Sequence, residues 1–288
     1  MIFKGTGTAL VTPFRDGAVD YDSYERLLDR QVEAGVDFLV PLATTGETPT
    51  LSAEEKVRLL ALTYKHSAPA GLPLLVGCGS NSVPATLENM ALLDGPAVSG
   101  WLVVVPFYNK PNQEGQYRYF KAVAAATEKP VVIYNVPGRT GANMLPDTVL
   151  RIARDCPNVI GIKEASGKME QVEAILAAAP ADFAVLSGDD DLTLQMMKKG
   201  AAGTISVASD IVPDKLCALV KAAAASDPAA DELDAALQPL YRACFVEPNP
   251  IPAKAALSLL GLCSDEMRLP LVSATEQTRE LMKTILGI

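Results

Sequence analysis

A single ammonium, Lys163, closes the apolar run Val159-Ile160-Gly161-Ile162-Lys163-Glu164-Ala165-Ser166. Such a run reads as a buried β-strand. A lysine at its end can snorkel to solvent or pair with Glu164. Alternatively, burial strips part of its charge and makes it a nucleophile that attacks a carbonyl to form a Schiff base. That chemistry needs further parts: a proton shuttle for carbinolamine formation and dehydration, a relay for the shuttle, and an anchor for the substrate's carboxylate. The ends of other apolar runs supply them. Tyr134, in Tyr134-Asn135-Val136-Pro137-Gly138-Arg139-Thr140, offers a phenol as shuttle, and the Thr44 hydroxyl, in Thr44-Thr45-Gly46-Glu47-Thr48, can relay its proton. Backbone N–H groups at Thr45-Gly46 can hold one carboxylate, and the Arg139 fork a second. Taken singly, Tyr134 reads as a core aromatic, Thr44 as a turn residue and Arg139 as a surface charge. Their coincidence at successive strand ends points to a site.

Eight strand-like runs alternate with helical patterns. The runs are 7–14, 38–43, 74–78, 101–107, 131–135, 159–163, 184–188 and 203–207; the helical patterns are 21–34, 52–66, 83–93, 113–126, 146–155, 168–178, 190–199 and 213–225. Asp20 sits as a cap before the first helix, and Ser52-Ala53-Glu54-Glu55 is a capping box before the second. Eight consecutive βα units with continuous apolar strands imply a parallel sheet sheathed by helices, and eight is the number that closes into a (β/α)8 TIM barrel. A doubly wound open sheet is the alternative. Neither Gly5-Thr6-Gly7 nor Gly77-Cys78-Gly79 completes the G-x-G-x-x-G turn that such a fold would carry, and there is no Walker A sequence. In a barrel, the active site lies at the C-terminal ends of the strands, where the polar groups above are placed. Alternation puts Lys163 on the face of Gly161 and Val159, and Tyr134 on the face of Val132. With runs five and six adjacent and these faces inward, phenol and amine meet in the barrel mouth, and small Gly161 leaves room for the lysine stem. Beyond about residue 226 the alternation gives way to three helical segments, 231–241, 252–260 and 274–286. The expected organisation is a catalytic barrel over residues 1–225 with a C-terminal helical appendage over 226–288.

Of 288 residues, 49% are apolar and 20% charged, which fits a globular protein with a large core. No apolar run approaches the roughly 20 residues that span a bilayer. The N-terminal residues show no basic region followed by an apolar segment, so a cytoplasmic enzyme is the expected setting. Five cysteines, none spaced C-x-x-C, argue against a disulfide framework or zinc knuckle. The one histidine, His66, supports neither a histidine metal site nor a serine–histidine–aspartate triad. A net charge of −9 without a basic cluster argues against nucleic acid and anionic membranes. It leaves open a small anionic substrate held by local groups.

The motifs Thr44-Thr45-Gly46-Glu47, Tyr134-Asn135-Val136-Pro137-Gly138-Arg139-Thr140 and Gly161-Ile162-Lys163-Glu164-Ala165 resemble those of the pyruvate-dependent class I aldolases, the dihydrodipicolinate synthase / N-acetylneuraminate lyase superfamily. The resemblance runs from Gly5-Thr6-Gly7-Thr8-Ala9-Leu10-Val11-Thr12-Pro13-Phe14 to Asn249-Pro250-Ile251-Pro252-Ala253-Lys254, and Arg139 draws it toward the dihydrodipicolinate synthase branch. It implies that pyruvate condenses with Lys163, becomes an enamine, and attacks L-aspartate-4-semialdehyde on the route to diaminopimelate and lysine. It implies a relay of Tyr134, Thr44 and Tyr108, with Tyr108 reaching a neighbouring subunit's site. Thr45 would bind pyruvate's carboxylate and Arg139 that of the aldehyde, while Gly188 and Ile205 would line the pocket through their backbones. A homotetramer of two tight dimers is implied, with no metal and no organic cofactor. Ala53, Lys56, Ala85 and Phe107 stand where lysine-inhibited members carry histidines, a glutamate and a tyrosine, with only Asn81 retained, which implies weak or absent inhibition by lysine. Two other readings stay open: a related lyase of the 4-hydroxy-2-oxoglutarate aldolase or N-acetylneuraminate lyase type, and a non-catalytic binding protein that keeps the barrel.

Overall fold

The computed structural model describes residues 1–288. Eight parallel strands form the barrel: β1 Gly5–Ala9, β2 Phe38–Val40, β3 Leu75–Gly77, β4 Gly100–Val104, β5 Val131–Asn135, β6 Val159–Glu164, β7 Ala184–Ser187 and β8 Gly203–Ser206. They pair in the order β2-β1-β8-β7-β6-β5-β4-β3. The ring closes between β2 and β3 through the parallel bridge Leu39–Leu74 and the Pro41 carbonyl, which accepts from the Gly77 N–H at 3.0 Å. This is the (β/α)8 barrel expected from the alternation of runs.

Helices α1 Tyr21–Ala34, α2 Ala53–Ser67, α3 Val83–Leu93, α4 Gln113–Ala125, α5 Pro146–Asp155, α6 Met169–Ala178, α7 Thr193–Lys198 and α8 Pro213–Ala224 follow their strands in turn. Their starts are set locally. The Asp20 carboxylate accepts from the Ser23 N–H at 3.0 Å to open α1. Ser52 and Glu55 form the reciprocal capping box of α2. The apolar faces of α1 to α6 and the outward faces of the strands make the main core, which includes Leu28, Leu59, Trp101, Phe120, Val131, Ile152, Val159 and Ile162. A separate layer fills the barrel interior, with Phe38, Val40, Leu75, Leu102, Val132, Leu186 and Ile205, so the lumen is packed and only its mouth is free for chemistry.

Two departures from simple alternation matter. The run expected over 7–14 leaves the sheet after Ala9, because Phe14–Arg15 pairs with Ala18–Val19 in a small antiparallel hairpin. The second departure lies at the base of β6. Val131 pairs with Val159, but Val132 pairs with Gly161, so Ile160 is an extra residue in β6. Val159 therefore faces the outer core beside Val131, not the side of Lys163. The shared face expected for Val159, Gly161 and Lys163 holds only above the bulge.

The C-terminal helices α9 Ala229–Ala243, α10 Ile251–Leu259 and α11 Glu276–Leu286 bury a second cluster against α7 and α8, built on Leu237, Leu240, Tyr241, Ala253, Ala256 and Met282. No helix is long and apolar enough to cross a membrane.

Candidate active site

At the C-terminal ends of the strands lies a cavity of about 410 Å³, including its open mouth, and Lys163, Tyr134, Thr44, Thr45, Arg139, Gly188, Asp189 and Asn249 all border it. The β5–β6 register carries Tyr134 directly opposite Lys163. The lysine nitrogen stands 4.5 Å from the centre of the Tyr134 ring, with 4% of the residue exposed. No acceptor in the chain lies within hydrogen-bond or ion-pair distance of it. Desolvation lowers its pKa from 10.5 to about 8, against the opposing pull of Asp190 and Asp189, with Arg139 adding to the fall. The alternative partner, Glu164, points to the other side of the sheet. It accepts there from the Ser166 N–H at 2.8 Å and from the amides of Asn135 and Gln171.

Tyr134 is 8% exposed, and burial raises its pKa to about 12, with Arg139 and the Thr44 hydroxyl opposing the rise. The phenol is thus protonated at neutral pH and can donate to an oxygen developing charge beside the amine. Room for the lysine stem comes from Gly188 rather than from Gly161. A Cβ on Gly188 would lie 3.0 Å from Cε and 3.1 Å from Cγ of Lys163. One on Gly161 would instead meet the Ala184 carbonyl at 2.5 Å, so Gly161 serves the close approach of β7 to β6.

The turn expected to hold a carboxylate, Thr44–Gly46, is a single helical turn after β2. Its Gly46 N–H is spent on the Ala43 carbonyl at 3.1 Å, which leaves the N–H groups of Thr44 and Thr45 without a partner in the chain. The turn is pinned on three sides. The Thr12 hydroxyl donates to the Gly46 carbonyl at 2.8 Å, the Thr48 hydroxyl donates to the Ala43 carbonyl at 2.9 Å, and the Asn249 amide donates to the Thr45 hydroxyl at 3.0 Å. Arg139 stands on the short helical turn Pro137–Thr140 at the exposed rim, its guanidinium donating to the Asn249 carbonyl at 3.2 Å.

Asn249 was not singled out from the sequence as a site residue. It lies 204 positions from Thr45, and only its place in Asn249-Pro250-Ile251-Pro252 marked it. Asp189, in Ser187-Gly188-Asp189-Asp190 at the end of β7, is a carboxylate to which the sequence assigns no role. It borders the cavity, and burial raises its pKa to about 6.

Two expected residues stand apart from the cavity. Ile205 is fully buried in the inner layer below. Tyr108 is 86% exposed, on backbone in the left-handed region at φ 74°, and does not border this chain's own cavity. That is strain in a bulky residue, of the kind held at functional sites. Beside the cavity, sharing Thr44, Tyr134, Arg139 and Asn249 with it, runs a broader groove lined by Lys56, Cys78, Leu102, Phe107, Pro270 and Leu271.

A closed barrel with a desolvated lysine facing a tyrosine at the strand ends defines a barrel protein equipped for imine chemistry. The sequence model of the dihydrodipicolinate synthetase family matches residues 2–288, and the chain belongs to that family. The chain is 44% identical over 289 residues to the 4-hydroxy-tetrahydrodipicolinate synthase of Thermotoga neapolitana, covering 99% of this chain and 98% of that one. The crystal structure of dihydrodipicolinate synthase from Thermotoga maritima superposes with a TM-score of 0.97 at 43% identity, over 100% of this chain and 98% of that one. A solved structure described as the first monomeric dihydrodipicolinate synthase variant matches with a TM-score of 0.97 at 44% identity, over 99% of this chain and 96% of that one.

Proposed function

We propose that the chain carries 4-hydroxy-tetrahydrodipicolinate synthase activity, a lyase reaction that condenses pyruvate with L-aspartate-4-semialdehyde toward diaminopimelate and lysine. The observation that carries this reading is the unpaired Lys163 nitrogen, desolvated to a pKa of about 8, against the Tyr134 ring. The neutral amine adds to the keto carbon of pyruvate. Tyr134 gives a proton to the forming alkoxide and is recharged from the ammonium side through Thr44. A second proton makes the hydroxyl a leaving water, and the iminium remains. Loss of a methyl proton gives the enamine, whose carbon attacks the aldehyde; the aldehyde oxygen takes up a proton. The substrate's own amino group then displaces Lys163 and closes the ring, returning the free amine.

The free N–H groups of the Thr44–Gly46 turn suit pyruvate's carboxylate, with Thr45 held by Asn249. Arg139 at the rim suits the carboxylate of the aldehyde, and Gly188 borders the cavity, while Ile205 lies in the packed layer beneath it. The left-handed, exposed Tyr108 supports the further proposal that it completes the relay of a second copy within a homotetramer of tight dimers. The division into a barrel, 1–225, and a helical region, 226–288, is supported by the way the second segment delivers Asn249 and Lys254 to the strand ends. The proposed setting is the cytoplasm, and neither metal nor organic cofactor takes part.

Borohydride reduction in the presence of pyruvate, read by peptide mass spectrometry, is expected to leave one adduct, on Lys163. The adduct followed by turnover with the semialdehyde supports the full reading. An adduct without turnover would favour another pyruvate lyase on the same scaffold, and no adduct would leave a binding protein.

A further inference from the structure

Lys163 faces the barrel mouth only because of the irregularity beneath it. Val159 faces the outer core, so strict alternation from Val159 would turn Gly161 and Lys163 outward too. The extra residue Ile160 reverses that parity, and its side chain packs against the inner layer. A bulge can be lost by a one-residue slip, and a slip would carry the amine out of the site and turn Glu164 inward at the barrel mouth, beside Val136. Gly161, which alone tolerates the close approach of β7, opposes that slip from below, and contacts above the bulge can oppose it from the other side.

The next register pair, Asn135 opposite Glu164, faces outward between β5, β6 and the helices. Its groups are buried, with exposures of 0% for Asn135 and 2% for Glu164. The Asn135 side-chain nitrogen donates toward both carboxylate oxygens at 3.2 and 3.1 Å, and its side-chain oxygen Oδ1 accepts from the Met144 N–H at 3.0 Å. The Ser166 N–H, at the end of β6 itself, donates to the same carboxylate at 2.8 Å. Gln171 on α6 donates to it at 3.2 Å and to the Met144 carbonyl at 3.0 Å, while the Asn143 amide donates to Gln171 at 3.0 Å. The carboxylate thus ties the top of β5, the top of β6, the segment before α5 and the first turn of α6. None of these contacts reaches the cavity, so the mechanism above has no use for them.

We propose that Glu164, with Asn135 and Gln171, is a register latch: a set of positioning residues outside the barrel that keeps Lys163 and Tyr134 turned inward for Schiff-base formation. The inference rests on the reading of Lys163 as the nucleophile. Its physical basis is asymmetric cost. In the observed register the carboxylate finds donors from three chain segments; in the slipped register it would leave all three behind, and the buried amides of Asn135 and Gln171 would lose their acceptor. Burial raises the carboxyl pKa of Glu164 against the lowering effect of Ser166, Asn135 and Gln171, as a desolvated but hydrogen-bonded group should behave.

The test is competitive acetylation of the native protein with acetic anhydride across pH, reading the midpoint at Lys163 by mass spectrometry without pyruvate. Alongside it run borohydride trapping and a melting curve. The groups facing Lys163 are Tyr134 from β5, Asp189 and Asp190 after β7, and Arg139 after β5, all unchanged in the variants. For Glu164→Leu the midpoint is expected to move by at least one unit from about 8, and the trapping rate at neutral pH to fall at least tenfold. Glu164→Gln keeps one acceptor oxygen and is expected to recover most of both. If Glu164→Leu fails to fold, Gln171→Leu removes one donor from outside the strands and is expected to move both readouts in the same direction by less. Lower melting temperatures with an unmoved midpoint and trapping rate would overturn the latch and leave ordinary structural residues. A wild type that shows the low midpoint but no pyruvate adduct would instead count against the catalytic reading, while the latch would still stand or fall on the midpoint of the variants.

Discussion

At the scale of single residues, the balance at Lys163 decides what the site can do. An amine with a pKa near 8 is neutral in roughly one molecule in ten at pH 7, against fewer than one in a thousand for an ordinary lysine. Pyruvate adduct formation is therefore expected to climb about tenfold per unit on the acid side of pH 8 and to level off above it, as stopped borohydride assays across pH would show. The same shift acts on stability with a definite sign. The folded pKa lies below the unfolded one, so between about 8 and 10.5 the unfolded chain binds more protons, and stability rises with pH across that window. Below pH 8 the folded chain bears the full cost of a buried ammonium. Lys163→Met removes it, and at pH 7 urea unfolding is expected to show a gain of about 1–3 kcal/mol together with complete loss of the adduct. A variant less stable than the wild type would mean that the ammonium is solvated rather than strained.

At the scale of elements, strand ends and the turns after them set the distances. Gly188 follows β7, and a methyl there would press on Cε and Cγ of Lys163 and lie 2.7 Å from the Ala165 Cβ. Gly188→Ala is expected to keep the barrel at some cost in stability, since the Ala165 Cβ, 2.7 Å away, can yield only by moving its own backbone. It should displace the lysine stem, cutting the adduct rate by tenfold or more in the trapping assay; an unchanged rate would mean that the stem has another path. How much of this was legible before folding follows from which interactions are local. α1, α3 and α5 begin and end where their caps, prolines and periodicity place them, because those signals lie within a turn of the helix end. The polar strand ends were legible because an apolar run that stops in Lys163 or Tyr134 announces a change of environment. The bulge at Ile160 was not, since a doubled residue leaves the composition of an apolar run unchanged and shows only against its partner strand. Nor was the Thr45–Asn249 bond, which joins parts of the chain that meet only once the barrel closes.

At the scale of the whole molecule, the C-terminal helices complete the site as well as covering the barrel. Lys254 on α10 is fully buried, and its ammonium lies 2.7 Å from Glu47, the residue that ends the Thr44–Gly46 turn. The same nitrogen donates to the Glu266 carbonyl at 2.7 Å and stands 4.2 Å over the Phe14 ring, while the other oxygen of Glu47 accepts from the Arg268 N–H at 3.2 Å. Glu47 has left-handed backbone at φ 50°, a conformation that such a residue keeps only when its surroundings impose it. One ion pair therefore couples three distant stretches of chain to the turn proposed to hold pyruvate's carboxylate. Lys254→Met preserves volume but strands a buried carboxylate, which costs about 3–5 kcal/mol when one partner of such a pair is removed. Unfolding in urea is expected to show that loss. In the fraction that stays folded, KM for pyruvate should rise more than kcat falls, because Lys163 and Tyr134 sit on other strands. Adding Glu47→Gln to Lys254→Met removes the stranded charge and should restore much of the stability without restoring KM, since the turn would still lack its tether. If the double variant recovered pyruvate binding as fully as stability, the pair would be holding the fold together and not the turn.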